Sequence, residues 1–360
     1  MISYLELGCQ AYESGDYGKA VGYWKQAADE GDSTSMYNLG VSYETGSGVE
    51  KDYAEAAAWY GKAAEKGDIK ACRRMGKFYR DGIGVTADRI KSVVWYLKAA
   101  EQGDTESWYE LGRYNFEKKD MEMAADCFLE AAEDGHAGAQ NRLGACYYNG
   151  DGVPVDYEKA VFWFTKAADQ GEACARFNLG LCYEYGDGVD KDYSAAAGWY
   201  EKSSAQGNAD AMYHLGRFYA EGKGVPKDHA RAFRLFKASA SKGHDSALFN
   251  LGTCYANGDG VRRDPAEAVR IFRTLADKGK PSGMYGLGVS YYNGSGVPKD
   301  KAKAFELLSA ASSMGYEKAS ALLTADGKAL RPVSEISIPN MAGDMVGTII
   351  GEIFGGTDRD

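Results

Sequence analysis

Residues Leu39–Gly67 read LGVSYETGSGVEKDYAEAAAWYGKAAEKG, and most of the chain repeats this pattern. Its Leu-Gly pair, or a Met-Gly pair in the same place, ends at nine glycines: Gly8, Gly40, Gly76, Gly112, Gly144, Gly180, Gly216, Gly252 and Gly288. The interval between successive glycines is constant, as from Gly40 to Gly76, except that it is shorter after Gly8 and Gly112. A fixed period of this length indicates a repeat array, in which each unit packs only against its neighbours.

Within one repeat, the pattern predicts two helices joined by a glycine-rich loop. Residues 34–45 have apolar side chains at helical spacing and form the predicted helix A. Gly46 is placed to end helix A in a left-handed conformation, and Asp52 is placed to cap the start of helix B. Helix B carries Tyr60 at a position that is aromatic in most units, opposite the side-chain-free Gly40. The two helices are therefore expected to approach closely there.

Composition excludes some classes of function. The 360 residues carry a formal net charge of −10, which argues against a general nucleic-acid binder. The seven cysteines form no CxxC pair and fall mostly on apolar helix positions, which predicts buried free thiols in a reducing compartment. The first residues, MISYLELGCQ, do not read as a signal peptide, and no apolar run is long enough to span a membrane. We therefore expect a cytoplasmic protein.

Motifs that carry chemistry are not recognisable in the sequence, so we expect neither an enzyme nor a cofactor or metal site. The GxG of the loop, such as Gly46–Gly48, follows a helix instead of a strand and recurs in every long unit, unlike a phosphate-binding loop. Ser239 and Lys242 fit an SxxK pattern at a predicted helix end, without the partner motifs of the enzymes that use it. The four histidines are scattered.

The consensus LGxxYxxGxGVxxDxxxAxxWYxKAAxxG resembles the Sel-one-like repeat, a longer-loop relative of the tetratricopeptide repeat. Seven units are of this type, while the units at Gly8 and Gly112 have shorter loops and are closer to plain tetratricopeptide repeats. The resemblance implies an all-α fold, a right-handed α-solenoid of nine helix-turn-helix repeats whose A helices line a concave groove. It also implies an adaptor that holds other proteins. Fold alone does not fix function.

The chain divides into three predicted regions. Residues 1–316 form the repeat array, residues 317–330 a C-terminal capping helix, and residues 331–360 a tail. In the tail, glycines and apolar residues each recur every four positions, so a helix formed there would not be stable alone in water. The tail is either loosely ordered or docked on the array, a partner or a second copy.

The predicted binding residues lie three positions before and one position after the repeat glycines, on the side of helix A that the resemblance places in the groove. They are Tyr37, Arg73, Lys77, Tyr109, Arg113, Phe177, Tyr213, Arg217, Phe249 and Tyr285. In tetratricopeptide domains that clamp a peptide carboxylate, cations occupy the positions of Arg73 and Lys77, which implies an anionic ligand here. The alternative is that these cations pair with Glu106, Glu110 or Asp81.

The sequence thus predicts an adaptor or scaffold that binds a partner protein or peptide in its groove. An exposed row of aromatic side chains normally marks a surface that something covers. The alternative is a self-assembling or surface-associating structural protein that acts through its C-terminal tail.

Overall fold

The structure is a computed structural model that describes residues 2–324, 327, 329–330 and 338. Helices alternate between type A and type B along two compact units, residues 1–156 and 157–360. In unit 1 the A helices are α1 (Tyr4–Glu13), α3 (Ser33–Thr45), α5 (Ile69–Asp81), α7 (Thr105–Glu117) and α9 (Ala137–Asn149). Its B helices are α2 (Tyr17–Asp29), α4 (Tyr53–Glu65), α6 (Arg89–Ala100) and α8 (Met121–Glu133).

Unit 2 continues the alternation. Its B helices are α10 (Tyr157–Asp169), α12 (Tyr193–Ala205), α14 (His229–Ser241), α16 (Pro265–Asp277) and α18 (Lys301–Ser313). Its A helices are α11 (Ala173–Tyr185), α13 (Ala209–Glu221), α15 (Asp245–Asn257) and α17 (Pro281–Asn293), and a single turn, α19 (Glu317–Ser320), follows α18. Within each unit, consecutive helices pack on each other. The predicted all-α solenoid is confirmed.

Close packing between A and B helices depends on the repeat glycine. A side chain at Gly40 would begin 2.5 Å from the ring of Tyr60, which is fully buried. The same ring packs edge-on against Phe78 of α5, with 5.4 Å between ring centroids. One aromatic ring therefore joins its own helix A to the helix A of the next repeat, as expected for an array built from nearest-neighbour contacts.

The predicted ends of the helices are confirmed. Gly46 follows α3 in the left-handed conformation (φ 80°), and its amide donates to the carbonyl of Ser42. The carboxylate of Asp52 accepts hydrogen bonds from the amides of Ala54 (2.8 Å) and Glu55 (3.1 Å) at the start of α4. These bonds satisfy backbone groups that a helix end leaves unpaired.

The glycine-rich loop has a packing role that the sequence did not reveal. Gly48 has φ 77°, and a side chain there would lie 2.3 Å from the carbonyl oxygen of Tyr17, at the start of α2. Glycine is required for both reasons. The second glycine of the loop is therefore a contact to the preceding repeat.

The predicted capping helix over 317–330 is wrong in length, because α19 ends at Ser320. The chain then turns back, and Leu323 and Leu330 form an isolated antiparallel bridge. Thr324 holds this turn: its amide donates to the carbonyl of Ala329 (2.8 Å), and its hydroxyl accepts from the Ala329 amide (3.1 Å). A side chain that bonds its local backbone in this way competes with helix formation.

All seven cysteines lie within the described residues and are free; five are buried, as expected, while Cys9 and Cys174 are half-exposed. Burial raises the pKa of Cys146, Cys182 and Cys254 to about 12, so these thiols are unreactive at neutral pH. Among the described residues, no helix has the length and apolar character needed to cross a membrane. Apart from Ile338, the tail 331–360 lies outside the described residues, as do the predictions made for it.

Candidate binding face

The predicted binding residues of unit 1 form a half-exposed surface on α3, α5 and α7. We call this the unit 1 A-face; its members are Tyr37, Arg73, Lys77, Tyr109 and Arg113, and all five are partly buried. Tyr37 rests on the ring of Tyr60, with 5.5 Å between ring centroids, so its orientation is set by the core beneath it. The face combines aromatic surface with positive charge on a chain of net charge −10.

Acidic neighbours hold two cations of the face only partly. Arg73 donates to Asp104 (2.9 Å), but that carboxylate also accepts from the amide and hydroxyl of Ser107 at the start of α7. Arg113 lies 3.5 Å from Glu110, to which Arg80 is much closer, at 2.5 Å. The expected partners Glu110 and Asp81 thus both form ion pairs, but mainly with Arg80, which lies 2.7 Å from Asp81.

The remaining cation, Lys77, forms no ion pair within the described part of the chain. The expected partner Glu106 instead faces His136 (3.3 Å). This hydrogen bond is the main reason why the pKa of Glu106 is lowered. The sequence-based alternative, in which the acidic side chains neutralise all of these cations, is therefore only partly realised.

A small surface pocket lies beside Arg113, between α5, α6 and α7. Its lining includes Arg80, Arg89, Tyr96 and Glu110. Arg80 and Arg89 are both paired with carboxylates, Arg89 with Glu117. The lining holds three arginines and two glutamates, so the pocket is polar with an excess of positive charge, and it extends the unit 1 A-face.

The predicted binding residues of unit 2 are all buried, so they present no open surface, and their part in binding stays a prediction. They are Phe177, Tyr213, Arg217, Phe249 and Tyr285. Their rings pack on other aromatic rings of unit 2: Phe177 on Tyr200 (5.7 Å), Phe249 on Phe272 (5.4 Å) and Tyr285 on Tyr316 (5.2 Å). In this half of the set, aromatic surface is used for packing.

Unit 2 also contains a buried polar network centred on Glu184 of α11. Its carboxylate accepts a hydrogen bond from the hydroxyl of Tyr200 (2.7 Å), and Nδ1 of His214 lies 3.1 Å away. Arg217 (3.9 Å) and Lys223 (3.6 Å) add positive charge. Burial alone would raise the pKa of Glu184, but these hydrogen bonds and charges hold it well below its usual value.

Related clusters occur twice in unit 1, centred four residues after the repeat glycine. Glu44 accepts from Tyr60 (2.6 Å) and lies 3.5 Å from Arg74. Arg80 occupies the position of Glu44 one repeat later, and its partner Glu110 occupies the position of Arg74, so the signs of the two charges are exchanged.

Sequence reasoning missed these clusters, although a signal existed. The aromatic position of helix B is tyrosine in three repeats, and the residue four after the glycine is then charged: Glu44, Arg80 and Glu184. Where it is phenylalanine, that residue is uncharged: Phe116, Tyr148, Ala220 and Ala256. A phenolic hydroxyl in a buried place needs a polar partner, which accounts for the correlation.

No arrangement for catalysis appears among the described residues. Ser239, from the SxxK pattern, is buried and donates its hydroxyl hydrogen to the carbonyl of Ala209 (2.7 Å). His136 and His244 cap helices: their Nδ1 atoms accept from the amides of Ala139 (3.0 Å) and Ala247 (3.1 Å). The described residues hold no cluster of three or more histidine, cysteine or carboxylate side chains suited to a metal ion.

Comparison with known families gives a match over nearly the whole array. The family described as Sel1 repeat matches nine segments: residues 2–32, 33–68, 69–104, 107–136, 137–172, 175–208, 209–244, 245–280 and 281–316. The two units with shorter loops, at Gly8 and Gly112, are among these segments. They therefore belong to the same repeat family as the seven longer units.

Two solved structures are similar over most of their length. One is c5321, a protective antigen present in uropathogenic Escherichia coli strains and displaying an SLR fold; it is 31% identical, with 90% of this chain and 80% of that chain covered and a TM-score of 0.64. The other is a Sel1 repeat protein from Oxalobacter formigenes, 30% identical, with 89% of this chain and 92% of that chain covered and a TM-score of 0.63.

A curated protein from Helicobacter pylori, strain J99, named putative beta-lactamase HcpE, is 45% identical over 47 residues. That match spans 13% of each chain, little more than one repeat. A match of this length carries no information about the activity of the present chain.

Proposed function

Since the chain belongs to the Sel1 repeat family, whose members generally serve as non-enzymatic scaffolds for protein–protein interactions, we propose that it is an adaptor that binds a partner peptide on the unit 1 A-face. The observation that carries the proposal is the contrast in exposure. Tyr37, Arg73, Lys77, Tyr109 and Arg113 are partly open, whereas the equivalent residues of unit 2 are buried. The seven cysteines, irregularly spaced and without a CxxC pair, favour a reducing, cytoplasmic setting for this adaptor.

The chemistry of the face favours a peptide that carries a carboxylate. Lys77 forms no ion pair within residues 2–324, and Arg73 uses one of its five N–H groups on Asp104. Both side chains can therefore donate to an additional anion, and charge-assisted hydrogen bonds of this kind contribute about 1.5–3 kcal/mol each. Tyr37 and Tyr109 offer flat apolar surface on either side of the two cations, to which neighbouring side chains of the peptide would bind.

A library of peptides with free C-termini, screened on the purified full-length chain, tests this proposal. Binding of the selected peptides is then measured by fluorescence anisotropy. Arg73→Glu with Lys77→Glu should weaken binding at least tenfold, because two favourable charges become repulsive. Lys25→Glu with Lys66→Glu is the matched control: it changes the net charge equally at two exposed lysines away from the face. Equal loss in both double variants, or in neither, would rule the face out.

A second measurement separates binding from catalysis. Hydrolysis of a chromogenic β-lactam by the purified chain should not exceed the uncatalysed rate, since the hydroxyl of Ser239 is engaged with a backbone carbonyl. Turnover above that rate, abolished by Ser239→Ala, would show that an adaptor role is incomplete.

A further inference from the structure

A similar cluster of aromatic rings and an arginine surrounds Tyr109 in unit 1 and Tyr213 in unit 2. The exposure of the two tyrosines can therefore be compared. In unit 1, Tyr109 stacks on His136, with 4.4 Å between ring centroids, and rests on Phe128 at 6.0 Å. The guanidinium of Arg113 lies 5.9 Å from the Tyr109 ring. These residues come from α7, α8 and the start of α9.

In unit 2, Tyr213 stacks on His244 at 4.6 Å and rests on Phe236 at 6.3 Å. The guanidinium of Arg217 lies 5.8 Å from the Tyr213 ring. Every partner occupies the same repeat position as in unit 1, and the distances agree closely. The two tyrosines therefore share these three contacts, and Tyr213 also meets the ring of His214 at 5.5 Å, where unit 1 has Glu110.

Their exposures nevertheless differ. Tyr109 is half-buried, whereas Tyr213 is 4% exposed. The side chain of Arg113 is 33% exposed and that of Arg217 is 9% exposed. Arg217 also lies near Glu184 (3.9 Å) and Glu221 (4.0 Å), whereas Arg113 lies near Glu110 (3.5 Å). The three contacts that the two tyrosines share do not produce the difference in exposure, and a further segment over α13 would.

One residue after the repeat glycine, Val41 of α3 is half-exposed, whereas Ala145 of α9, the last A helix of unit 1, is 1% exposed. The equivalent residues of unit 2, Thr253 of α15 and Val289 of α17, are both 0% exposed. We call the surface formed by these positions on α11, α13, α15 and α17 the unit 2 A-face. It is covered along several consecutive repeats.

One described residue of the C-terminal segment identifies the covering layer. Ile338 is 7% exposed and belongs to the same apolar cluster as Phe249, Tyr285 and Val289 of the unit 2 A-face. The side-chain amide of Asn257 donates to the carbonyl of Ile338 (3.4 Å). The chain after α19 therefore returns to α15 and α17 and is anchored there by both apolar contact and a hydrogen bond.

The segment 339–360, which follows Ile338, has the composition that a covered apolar face requires. Met345, Ile349 and Ile353 recur every four positions, with glycines between them that permit close approach. As a helix, this segment would be about 33 Å long, enough to cross several helices that pack side by side. Its acidic residues outnumber its single arginine, while Arg217 is a buried cation whose Nε lacks a hydrogen bond within the described residues.

We infer that residues 339–360 bind in cis along the unit 2 A-face, with Ile338 as the point of attachment. The face is closed by a segment of its own chain, and its ligand is this apolar, weakly acidic sequence. This inference does not rest on the proposed function of unit 1, and the variants that test the two do not overlap.

Photo-crosslinking in the full-length chain tests the inference. With p-benzoylphenylalanine in place of Ile349, irradiation should link residue 349 to peptides from α13, α15 or α17, as read by mass spectrometry. Irradiating a mixture of light and heavy isotope-labelled chains distinguishes cis from trans contact, and light–light and heavy–heavy links are expected. Links that are mainly light–heavy, links to B helices or to unit 1, or the absence of links would each overturn it.

Thiol accessibility gives an independent readout. Thr253→Cys, in a chain whose half-exposed Cys9 and Cys174 are changed to serine, should react slowly with a maleimide. Adding Ile349→Asp with Ile353→Asp should speed that reaction at least tenfold, because two charges enter the covered surface, while Val41→Cys in the same background should not change. An unchanged rate at residue 253, with the helical content intact by circular dichroism, would contradict the inference.

Discussion

Glu44 in unit 1 and Glu184 in unit 2 occupy the same position in their repeats, and each accepts a hydrogen bond from a buried tyrosine. Their surroundings differ: the side chain of Glu44 is 23% exposed and that of Glu184 is 2% exposed. Water can solvate the first carboxylate, whereas the second depends on protein partners for all of its stabilisation. One repeat position therefore holds either a surface ion pair or a buried network.

The partner of each carboxylate matches its exposure. Arg74, beside Glu44, keeps a third of its side chain in water. His214, beside Glu184, is almost completely buried, and burial lowers its pKa. At the third site, Arg80 and Glu110 exchange the two signs. At all three sites, successive A helices thus carry a pair of side chains that attract each other. Which helix carries the acidic member, and how deeply the pair is buried, differ from site to site.

The largest effect is expected from Glu184→Ala. It leaves Tyr200, His214 and Arg217 without the carboxylate that they surround, and breaking a buried charged pair costs about 3–5 kcal/mol. Urea unfolding followed by hydrogen exchange in α11–α13 measures the loss of stability locally. Glu44→Ala is the control, with an expected loss of only about 1 kcal/mol because that site is hydrated. Similar losses at both sites would show that exposure does not distinguish them.

A smaller effect is expected from removing the tyrosine hydroxyls. Tyr200→Phe takes a donor from a carboxylate that water does not reach, which should cost about 1–3 kcal/mol. Tyr60→Phe should cost about 1 kcal/mol, since solvent can replace the hydroxyl at Glu44. The same unfolding measurement applies to both variants. If Tyr60→Phe proves the more destabilising, the comparison between the two carboxylates is reversed.

Charge exchange at the third site tests whether polarity matters. Arg80→Glu and Glu110→Arg should each destabilise unit 1 by about 1 kcal/mol, and the double variant should recover most of that loss. A double-mutant cycle on the free energies of unfolding gives the coupling between the two residues. Additive losses would mean that Asp81 and Arg113, which also contact this pair, determine its orientation.

The smallest effect is the pH dependence contributed by His214. Its folded pKa is lowered because burial outweighs the attraction of Glu184, while Arg217 adds to the lowering and Asp210 opposes it. Below the unfolded pKa of about 6.5, the unfolded chain binds a proton that the folded chain resists, so the stability of unit 2 falls as pH drops from 7 towards 5.

The limit for one proton is about 1.4 kcal/mol per pH unit. His214→Gln should flatten the dependence of the unfolding free energy on pH across this range. An unchanged slope in the His214 variant would show that the proton is taken up elsewhere.

Much of the fold was predictable because its determinants are local. The period, the glycine that admits the Tyr60 ring and the aspartate caps are each visible within one repeat. The length of the C-terminal helix was overestimated because the sequence from Glu317 to Ala329 resembles a helix A. The hydrogen bonds between Thr324 and the backbone of Ala329, which hold the turn, form only in the folded chain. A side chain that forms hydrogen bonds with the nearby backbone can end a helix without changing the spacing of the apolar residues.

The candidate site was predicted less well. The repeat positions on the A helices were identified correctly, but the spacing cannot tell Tyr109, which is half-exposed, from Tyr213, which is buried. The phenylalanine, histidine and arginine that contact each tyrosine are the same residue types, so these shared partners do not separate the two. The buried network at Glu184 left a trace in the sequence, the pairing of tyrosine with a charged residue 16 positions earlier, because that contact lies within one repeat.

The amino-acid sequence by itself determined the array of helix pairs, since glycine conformation, helix caps and side-chain size act over a few residues and recur with the period. Only the tertiary structure decided which A-helix positions remain open, because exposure depends on what distant parts of the chain lay over them. Ile338 packs with residues of α15 and α17, which lie well before it in the chain, and no periodic pattern encodes a contact of that kind.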